Sequence, residues 1–252
     1  MIDLAVVERF ALLLVRPGAV MMIAPGFAGT HIPMPVKIGL TALIALGLLP
    51  SVGVPRSLPE VSLVFVIARE TAIGLSLAFV LRALIAGAEF AGHLSGQQIG
   101  FSYGATIDPQ SGVRNNMLAT LYGSLATLGF LAINGHHQLL RALAESYVGL
   151  PIGVGHLNAS IVQSINDIFA LVFIVGVRLA APIIVVLLLV ELAVGLISRT
   201  SPALSFMVIG YPIRIVIGLF LIGVLIPTVP GVTASLMESV ITMAARAAMA
   251  FR

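Results

Sequence analysis

The chain has 252 residues, of which 59% are hydrophobic and only 9% charged, with a formal net charge of +3. Soluble domains carry roughly 25% charged residues, so this composition predicts an integral membrane protein or a part of a membrane-embedded complex. The positive charge is small and scattered, which argues against a nucleic-acid partner. Cysteine is absent, which excludes disulfides, thiolate nucleophiles and cysteine-ligated metals.

The N-terminal apolar run predicts a first helix over Leu4–Ile23. Glu8 and Arg9 interrupt this run and no basic region precedes it, so we expect it to stay on the mature chain rather than act as a signal peptide. Pro17 should bend the helix, because proline removes a backbone donor and its ring clashes with the preceding turn.

Apolar runs separated by proline- and glycine-rich breaks continue down the chain and predict an all-α fold. We expect hydrophobic helical hairpins with kinked helices, of a membrane type. The second helix is predicted over Val36–Leu49 and the third over Val61–Phe90. The third is the longest candidate, and it exceeds the roughly 20 residues that cross a bilayer core.

A polar, glycine-rich stretch, residues 87–116, interrupts this apolar sequence. One interpretation is a solvent-exposed loop between helices. The other is irregular backbone that lines or closes a passage, because non-helical backbone is tolerated at membrane depth only there. The length of the stretch favours the second interpretation, since most helix connections are short and long ones tend to be functional or disordered.

Four further apolar runs predict helices in the second half of the chain. They cover Met117–Ile133, Ile161–Leu179, Pro182–Ile197 and Phe206–Val229. A break at residues 134–137 follows the first run, and Pro182 marks a kink or boundary between the second and third. The short polar turn at residues 198–202 makes the last two runs look like a helical hairpin.

The last predicted segment, Val232–Arg252, is amphipathic. Glu238, Thr242 and Arg246 recur every four residues on one face, and apolar residues including Met237 cover the other. Such a segment lies on a membrane surface or packs on a partner helix. We favour packing, because surface-binding helices carry more lysine and arginine on the polar face.

Six charged residues lie in or beside the apolar runs. Intramembrane charges are by default candidates for function, but they also form ion pairs that fix helix register or reach towards an interface. We favour the structural role, and we expect adjacent Arg69 and Glu70 to need different neighbours because they cannot share a helix face. The six are Glu70, Glu89, Arg178, Glu191, Arg199 and Arg214.

The residues needed for catalysis are not arranged for it. The five histidines form no His-x-x-x-His or His-Glu-x-x-His pattern, so zinc catalysis is not indicated. His93 and Ser95 are two residues apart and point in different directions on one helix, which makes a poor nucleophile–base pair. We therefore expect a non-enzymatic protein without cofactor or metal, and an intramembrane hydrolase is the least favoured class.

A series of short motifs occurs in a characteristic order along the chain. These are Arg16-Pro17, Pro25-Gly26-Phe27, Pro33-x-Pro35-x-Lys37, Glu70 with Gly74, Gly92, Gly96-Gln97-Gln98-Ile99-Gly100, Asp108-Pro109, Asn134-Gly135-His136-His137, Ser146-Tyr147, Pro151, Pro182, Gly195-Leu196-Ile197-Ser198-Arg199, Pro202, Phe206 and Gly210-Tyr211-Pro212. Their order resembles the FliR/SpaR/YscT family of type III secretion export-gate proteins, over roughly residues 9 to 230. The family usually carries Gln and Asn after the proline of the turn, where this chain has Ala203-Leu204-Ser205.

The resemblance implies a subunit that assembles with FliP and FliQ, and with FlhB, into a helical channel for unfolded export substrates. Its place would be the bacterial inner membrane, in the flagellar basal body. Residues 1–156 would form a FliP-like part that includes the 87–116 loop, and residues 157–252 a FliQ-like hairpin with a terminal amphipathic helix. The motif at residues 134–137 favours a flagellar over a virulence system.

The resemblance also implies that the central loop plugs the closed channel, with bulky Phe101, Tyr103 and Ile107 and with glycines that let it move aside. The predicted plug residues are Gln97, Gln98, Ile99, Gly100, Phe101, Tyr103, Gly104, Ile107, Asp108, Pro109 and Gly112. The alternative from the residues alone is a secondary transporter of a small solute, since broken helices around polar residues suit that class too. No internal inverted repeat supports the alternative.

Overall fold

The computed structural model describes residues 4–29, 32–52, 63–101, 117–153, 160–200 and 206–251. Within these ranges the chain forms helices and no strand, so the prediction of an all-α fold is confirmed. The helices are α1 (Leu4–Ile23), α2 (Met34–Leu48), α3 (Leu63–Ile99), α4 (Met117–Ala132), α5 (Gly135–Gly149), α6 (Ser160–Thr200), α7 (Phe206–Leu225) and α8 (Thr228–Met249).

Two helices, α3 and α6, are long and apolar enough to cross a membrane. The pairs α4–α5 and α7–α8 pass the same test when each is taken as one span, although each pair is bent by more than 40° at its break. The described part of the chain therefore offers two to four spans, which confirms the predicted membrane-type architecture with broken helices.

Helix α3 is longer than the sequence predicted. It was expected to end at Phe90, but it continues to Ile99, so the first part of the predicted break at residues 87–116 is helical. Its glycines serve close packing there. A Cβ atom on Gly87 would lie 2.7 Å from the Cβ of Val175 on α6, and only glycine permits that approach without a shift.

The predicted boundary at Pro182 is wrong, because α6 runs through it as one helix of 41 residues. Proline removes one hydrogen bond from a helix interior. A chain break at membrane depth would leave several more backbone groups without partners, so an apolar helix tolerates proline inside it. The third correction concerns Phe206–Val229, which divides into α7 and α8 around Ile226.

Helix α5 begins within the predicted break at residues 134–137, where no helix was predicted. Asn134 adopts the left-handed conformation, with a φ of 58°, immediately before the helix begins. Asparagine tolerates that region better than most residues, so Asn134 makes the turn between α4 and α5. Helix α8 has the predicted two faces: Glu238 and Arg246 are exposed, whereas Met237 and Val240 are buried.

The chain divides into two compact units. Unit 1 comprises residues 1–83, 130–169 and 236–252, and unit 2 comprises residues 84–129 and 170–235. Both units combine segments from the two halves of the sequence. The expectation that residues 1–156 resemble FliP and residues 157–252 resemble FliQ is a different division of the chain. These two units do not test it, and it stays a prediction.

Candidate functional site

The central loop leaves α3 through a well-defined helix end in unit 2. Gly100 has a φ of +104°, a conformation that favours glycine. The Phe101 N–H donates to the Gly96 carbonyl oxygen at 3.0 Å, and the Gly100 N–H lies 3.2 Å from the same oxygen. This arrangement resembles a Schellman motif, in which a left-handed glycine ends the helix and its last carbonyls find donors.

Helix α7 packs directly against this helix end. A Cβ on Gly218 would lie 2.5 Å from the Ile99 Cγ1, and a Cβ on Gly100 would lie 3.7 Å from the Tyr211 ring. The small residue Gly218 therefore admits the Ile99 side chain, and the Tyr211 ring lies beside the start of the loop. The sequence did not predict that Tyr211 and Gly218 contact the end of α3, because both belong to an apolar run more than a hundred residues further along the chain.

The two ends of the loop are anchored in one buried cluster. Ile99 precedes the loop and Leu118 follows it, and both pack with Ile183, Leu187 and Ile222 of α6 and α7. About two turns before Ile99, α3 touches α4, because a Cβ on Gly92 would lie 2.5 Å from the Leu118 carbonyl oxygen. The loop therefore starts and finishes on a close-packed base.

The structure describes only the first part of the predicted plug. Gln97 is exposed, Gln98 is half-buried and Ile99 is fully buried, while Phe101 is 46% exposed. Ile99 thus belongs to the packed base rather than to a free loop. The other predicted plug residues lie outside the described residues, namely Tyr103, Gly104, Ile107, Asp108, Pro109 and Gly112.

Two of the predicted structural charges meet in unit 2. Arg214 of α7 donates to the Glu191 carboxylate of α6. The Arg214 guanidinium carbon also lies 5.8 Å from the centroid of the Tyr211 ring, within the range of a cation–π interaction. The contacts link Glu191 through Arg214 and Tyr211 to Gly100 at the start of the loop.

Three other members of the predicted set have different surroundings. Glu89 lies against α4, where a Cβ on Gly123 would come within 2.9 Å of its Oε1. Arg178 and Arg199 of α6 are exposed. Exposed cations on an apolar helix reach water or a partner molecule with little cost, because the charged head stays hydrated.

The sixth, Glu70, belongs to a buried ion pair in unit 1. Glu70 of α3 and Arg16 of α1 are both fully buried, and the Arg16 Nε donates to a Glu70 carboxylate oxygen. The Arg69 Nη2 lies 3.4 Å from the other oxygen. The expectation that Arg69 and Glu70 need different neighbours is therefore wrong for Arg69, whose long side chain reaches back to the adjacent carboxylate.

Arg16 also binds the C-terminal end of α5. Its Nη1 donates to the Ser146 hydroxyl at 3.1 Å and its Nη2 to the Leu150 carbonyl oxygen at 2.7 Å. The guanidinium carbon lies 4.3 Å from the Tyr147 ring centroid, so a cation–π contact covers the planar face. Buried charges need such full satisfaction to be tolerated, and here one side chain ties together three helices.

Tyr147 explains how α1 continues through a proline. The Tyr147 hydroxyl donates to the Leu13 carbonyl oxygen at 3.2 Å. In a regular helix that oxygen accepts from the N–H four residues later, but Pro17 has no N–H. Tyr147 therefore replaces the missing donor. The close approach of α3 to α1 nearby depends on Gly74, where a Cβ would lie 2.6 Å from the Arg16 carbonyl oxygen.

The Arg16 cluster brings together four motifs that the sequence shows only as separate fragments. Arg16-Pro17, Glu70 with Gly74, Ser146-Tyr147 and Leu150 beside Pro151 stand up to 134 positions apart. One feature of the sequence does indicate the cluster. Arg16 and Glu70 each lie inside an apolar run, and charges in such runs require partners.

Metal-binding groups are sparse in the described ranges. No group of three or more His, Asp or Glu side chains there could hold a metal ion. His136 and His137 at the start of α5 lie with their ring centroids 4.3 Å apart. Two adjacent rings at a helix start offer too few ligands for a structural or catalytic zinc site.

Comparison with known proteins identifies the family. Residues 7–240 match the family of bacterial export proteins, family 1. The chain belongs to this family. The matched range begins in α1 and ends within α8, so it includes the Arg16 cluster and the base of the central loop.

Curated relatives of similar length carry one name. The chain is 33% identical to the flagellar biosynthetic protein FliR of Escherichia coli (strain K12) over 218 residues, which are 86% of this chain and 83% of the relative. It is 33% identical to FliR of Pectobacterium carotovorum subsp. carotovorum over 89% of this chain and 86% of the relative. FliR of Bacillus subtilis (strain 168) is 28% identical over 84% of each chain.

Proposed function

We propose that the chain is a non-enzymatic subunit of the flagellar type III export gate in the bacterial inner membrane. The observation that carries the proposal is the family match over residues 7–240, together with relatives named flagellar biosynthetic protein FliR. Helices long and apolar enough to cross a membrane support the location. In this proposal the chain hydrolyses nothing, and the energy for export comes from partner proteins or the proton gradient.

The surface of the chain supports a role inside an assembly. Large apolar side chains are exposed on several helices, including Leu43 (66%), Phe169 (70%) and Phe220 (70%). Contiguous exposed apolar surface marks contact with protein or lipid. We propose that FliP, FliQ and FlhB cover part of it, and that unfolded export substrates pass through the channel that the subunits enclose.

Within that gate we propose that the central loop, residues 100–116, is the plug. A plug must be fixed at its two ends, and the segment between them must be able to change conformation. The described ends support this, since Ile99 and Leu118 share one buried cluster and Gly100 turns the chain out of α3 with a φ of +104°. A rigid base with a glycine at the exit confines any rearrangement to the loop itself.

Assembly is the first prediction of this proposal. We expect the chain, co-expressed with FliP and FliQ from the same organism and purified in detergent through a tag on this chain, to yield one discrete complex. The mass of the intact complex measures its composition. A stable chain that purifies without partners, and that alone drives concentrative uptake of a small solute into vesicles, would instead support a secondary transporter.

Loop deletion is the second prediction. Removal of residues 100–112 should leave the complex assembled, because it keeps Ile99 and Leu118 in their buried cluster, but should raise its ion conductance in a planar bilayer. The mass of the complex is the control for assembly. Conductance equal to that of the unchanged complex would contradict the plug.

A matched substitution separates the effect of the loop's large side chains on conductance from the effect of its length. Replacement of Phe101, Tyr103 and Ile107 by alanine keeps the loop length and removes its large side chains, so it should also raise conductance. Phe65→Ala, at a side chain that is 72% exposed on α3, removes an aromatic ring outside the loop sequence and should leave conductance unchanged.

A further inference from the structure

A groove in unit 1 has no role in the proposed channel. It has a volume of about 450 Å³ and lies between the C-terminal end of α2 and the C-terminal end of α5. Five of its lining residues are apolar, with two polar side chains and a tyrosine. The lining consists of Leu48, Ser51, Val52, Ala144, Glu145, Tyr147, Val148 and Pro151.

The charge on the described lining of this groove has one sign. Glu145 is exposed, and it forms no ion pair with any residue in the described ranges. Among the described residues, no lysine or arginine lines the groove. Arg141, one turn earlier on α5, is exposed but does not line the groove. The carboxylate is therefore left to interact with a group from outside.

The end of α2 adds to the negative potential. Both α2 and α5 terminate at the groove, and the C-terminal end of a helix carries a partial negative charge from carbonyls without donors. At α5 the Arg16 guanidinium already donates to the Leu150 carbonyl oxygen, so the partial charge of that end is met within the chain. At α2, Pro50 stands where an N–H would otherwise bond to the carbonyl of Leu46, four residues earlier.

We propose that this groove is a docking site for a segment of another protein that carries a lysine or arginine flanked by apolar residues. The cation would meet the Glu145 carboxylate and the end of α2, and the apolar neighbours would pack on Leu48, Val52 and Val148. Val148 is 83% exposed, so its side chain is available to pack against such a segment. The proposal relies on no residue of the central loop, so it holds or fails independently of the plug.

The floor of the groove is rigid, which suits a recognition site. Tyr147 lines the groove and is itself 4% exposed. It is held by the cation–π contact with Arg16 and by its hydrogen bond to the Leu13 carbonyl oxygen. A preformed surface loses little conformational entropy when the partner binds.

Photo-cross-linking in cells tests the docking site. A benzoylphenylalanine at Val148, in the complete chain within its native complex, should capture another protein after irradiation. Mass spectrometry of the cross-linked peptide should locate a lysine or arginine within about four residues of the link, the spacing of one helical turn. Charge dependence is the second requirement, because capture alone does not show that the site recognises a cation.

Two variants supply the charge test. Glu145→Lys should lower the yield of the cross-link at least fivefold, and Glu145→Gln should lower it less. Glu238→Lys is the matched control, since Glu238 is also exposed but lies on α8 outside the groove, and it should leave the yield unchanged. Replacement of the partner's cation by glutamate should restore the link in the Glu145→Lys chain.

Several results would overturn the proposal. These are a yield that Glu145→Lys does not change, a link to lipid alone, a link to a second copy of this chain, and no link at all. A link to residues 53–62 of the same chain, which follow Val52 and include Arg56, would show that the groove is filled from within.

Discussion

Glu70→Gln is expected to lower the free energy of unfolding of the complete chain by about 3–5 kcal/mol, the usual cost of breaking a buried ion pair. The substitution keeps the shape of the side chain but leaves the fully buried Arg16 guanidinium without its counter-charge. Denaturant unfolding of the purified chain in one detergent, followed by circular dichroism, measures the change.

The control for this prediction is Glu238→Gln. Glu238 is exposed on α8, so the same chemical change should alter stability by less than about 0.5 kcal/mol. If Glu70→Gln lowered the free energy of unfolding by less than about 1 kcal/mol, the buried ion pair would be contradicted, because exposed ion pairs contribute free energies of that size.

The combined variant Arg16→Met with Glu70→Leu separates charge burial from hydrogen bonding. It should cost less than the sum of the two single changes, because both buried charges leave together. It should still cost about 1–3 kcal/mol, because the Leu150 carbonyl oxygen loses the donor that Arg16 supplies.

Gly92→Ala is expected to lower stability by about 1–3 kcal/mol, the range for overpacking a close contact. The new methyl group would lie 2.5 Å from the Leu118 carbonyl oxygen and 2.6 Å from the Ala119 Cα. Both are backbone atoms, so α3 and α4 must separate to admit it. Since these helices hold the two ends of the central loop, we also expect the complex to conduct ions more readily.

Gly195→Ala provides the matched control for that contact. Gly195 lies inside α6, and within the described ranges no atom beyond its chain neighbours and the local helix backbone lies within 4 Å of an added Cβ, so alanine should stabilise the chain by about 0.4–1 kcal/mol by restricting the unfolded state. Equal effects at Gly92 and Gly195 would show that helix propensity, and not the α3–α4 contact, determines the result.

Several features of the fold follow from local sequence alone. The end of α1 agrees with the predicted Ile23, because apolar runs between glycine and proline breaks define helices without help from distant residues. The two faces of α8 were equally readable, since a four-residue recurrence of polar side chains places them on one side of a helix. The order of motifs predicted the family.

Other features depend on residues far apart in the chain. Gly87 and Gly92 read as flexible positions, but the structure uses them for close contacts with Val175 and Leu118, so α3 continues past them. Glycine favours both loops and tight helix packing, and only the presence of a neighbour decides between the two.

By itself, the sequence determined an all-helical membrane-type protein and most helix positions, because composition and periodicity act locally. The export family followed from a resemblance in the order of its motifs, which the match over residues 7–240 confirms. The tertiary structure decided which charges pair: Glu70 with Arg16, and Glu191 with Arg214. It also decided that α1 can pass through Pro17, since the donor that Leu13 lacks comes from Tyr147 on α5. Long-range partners satisfy buried polar groups only after the helices are packed, so spacing along the chain does not encode them in any readable pattern.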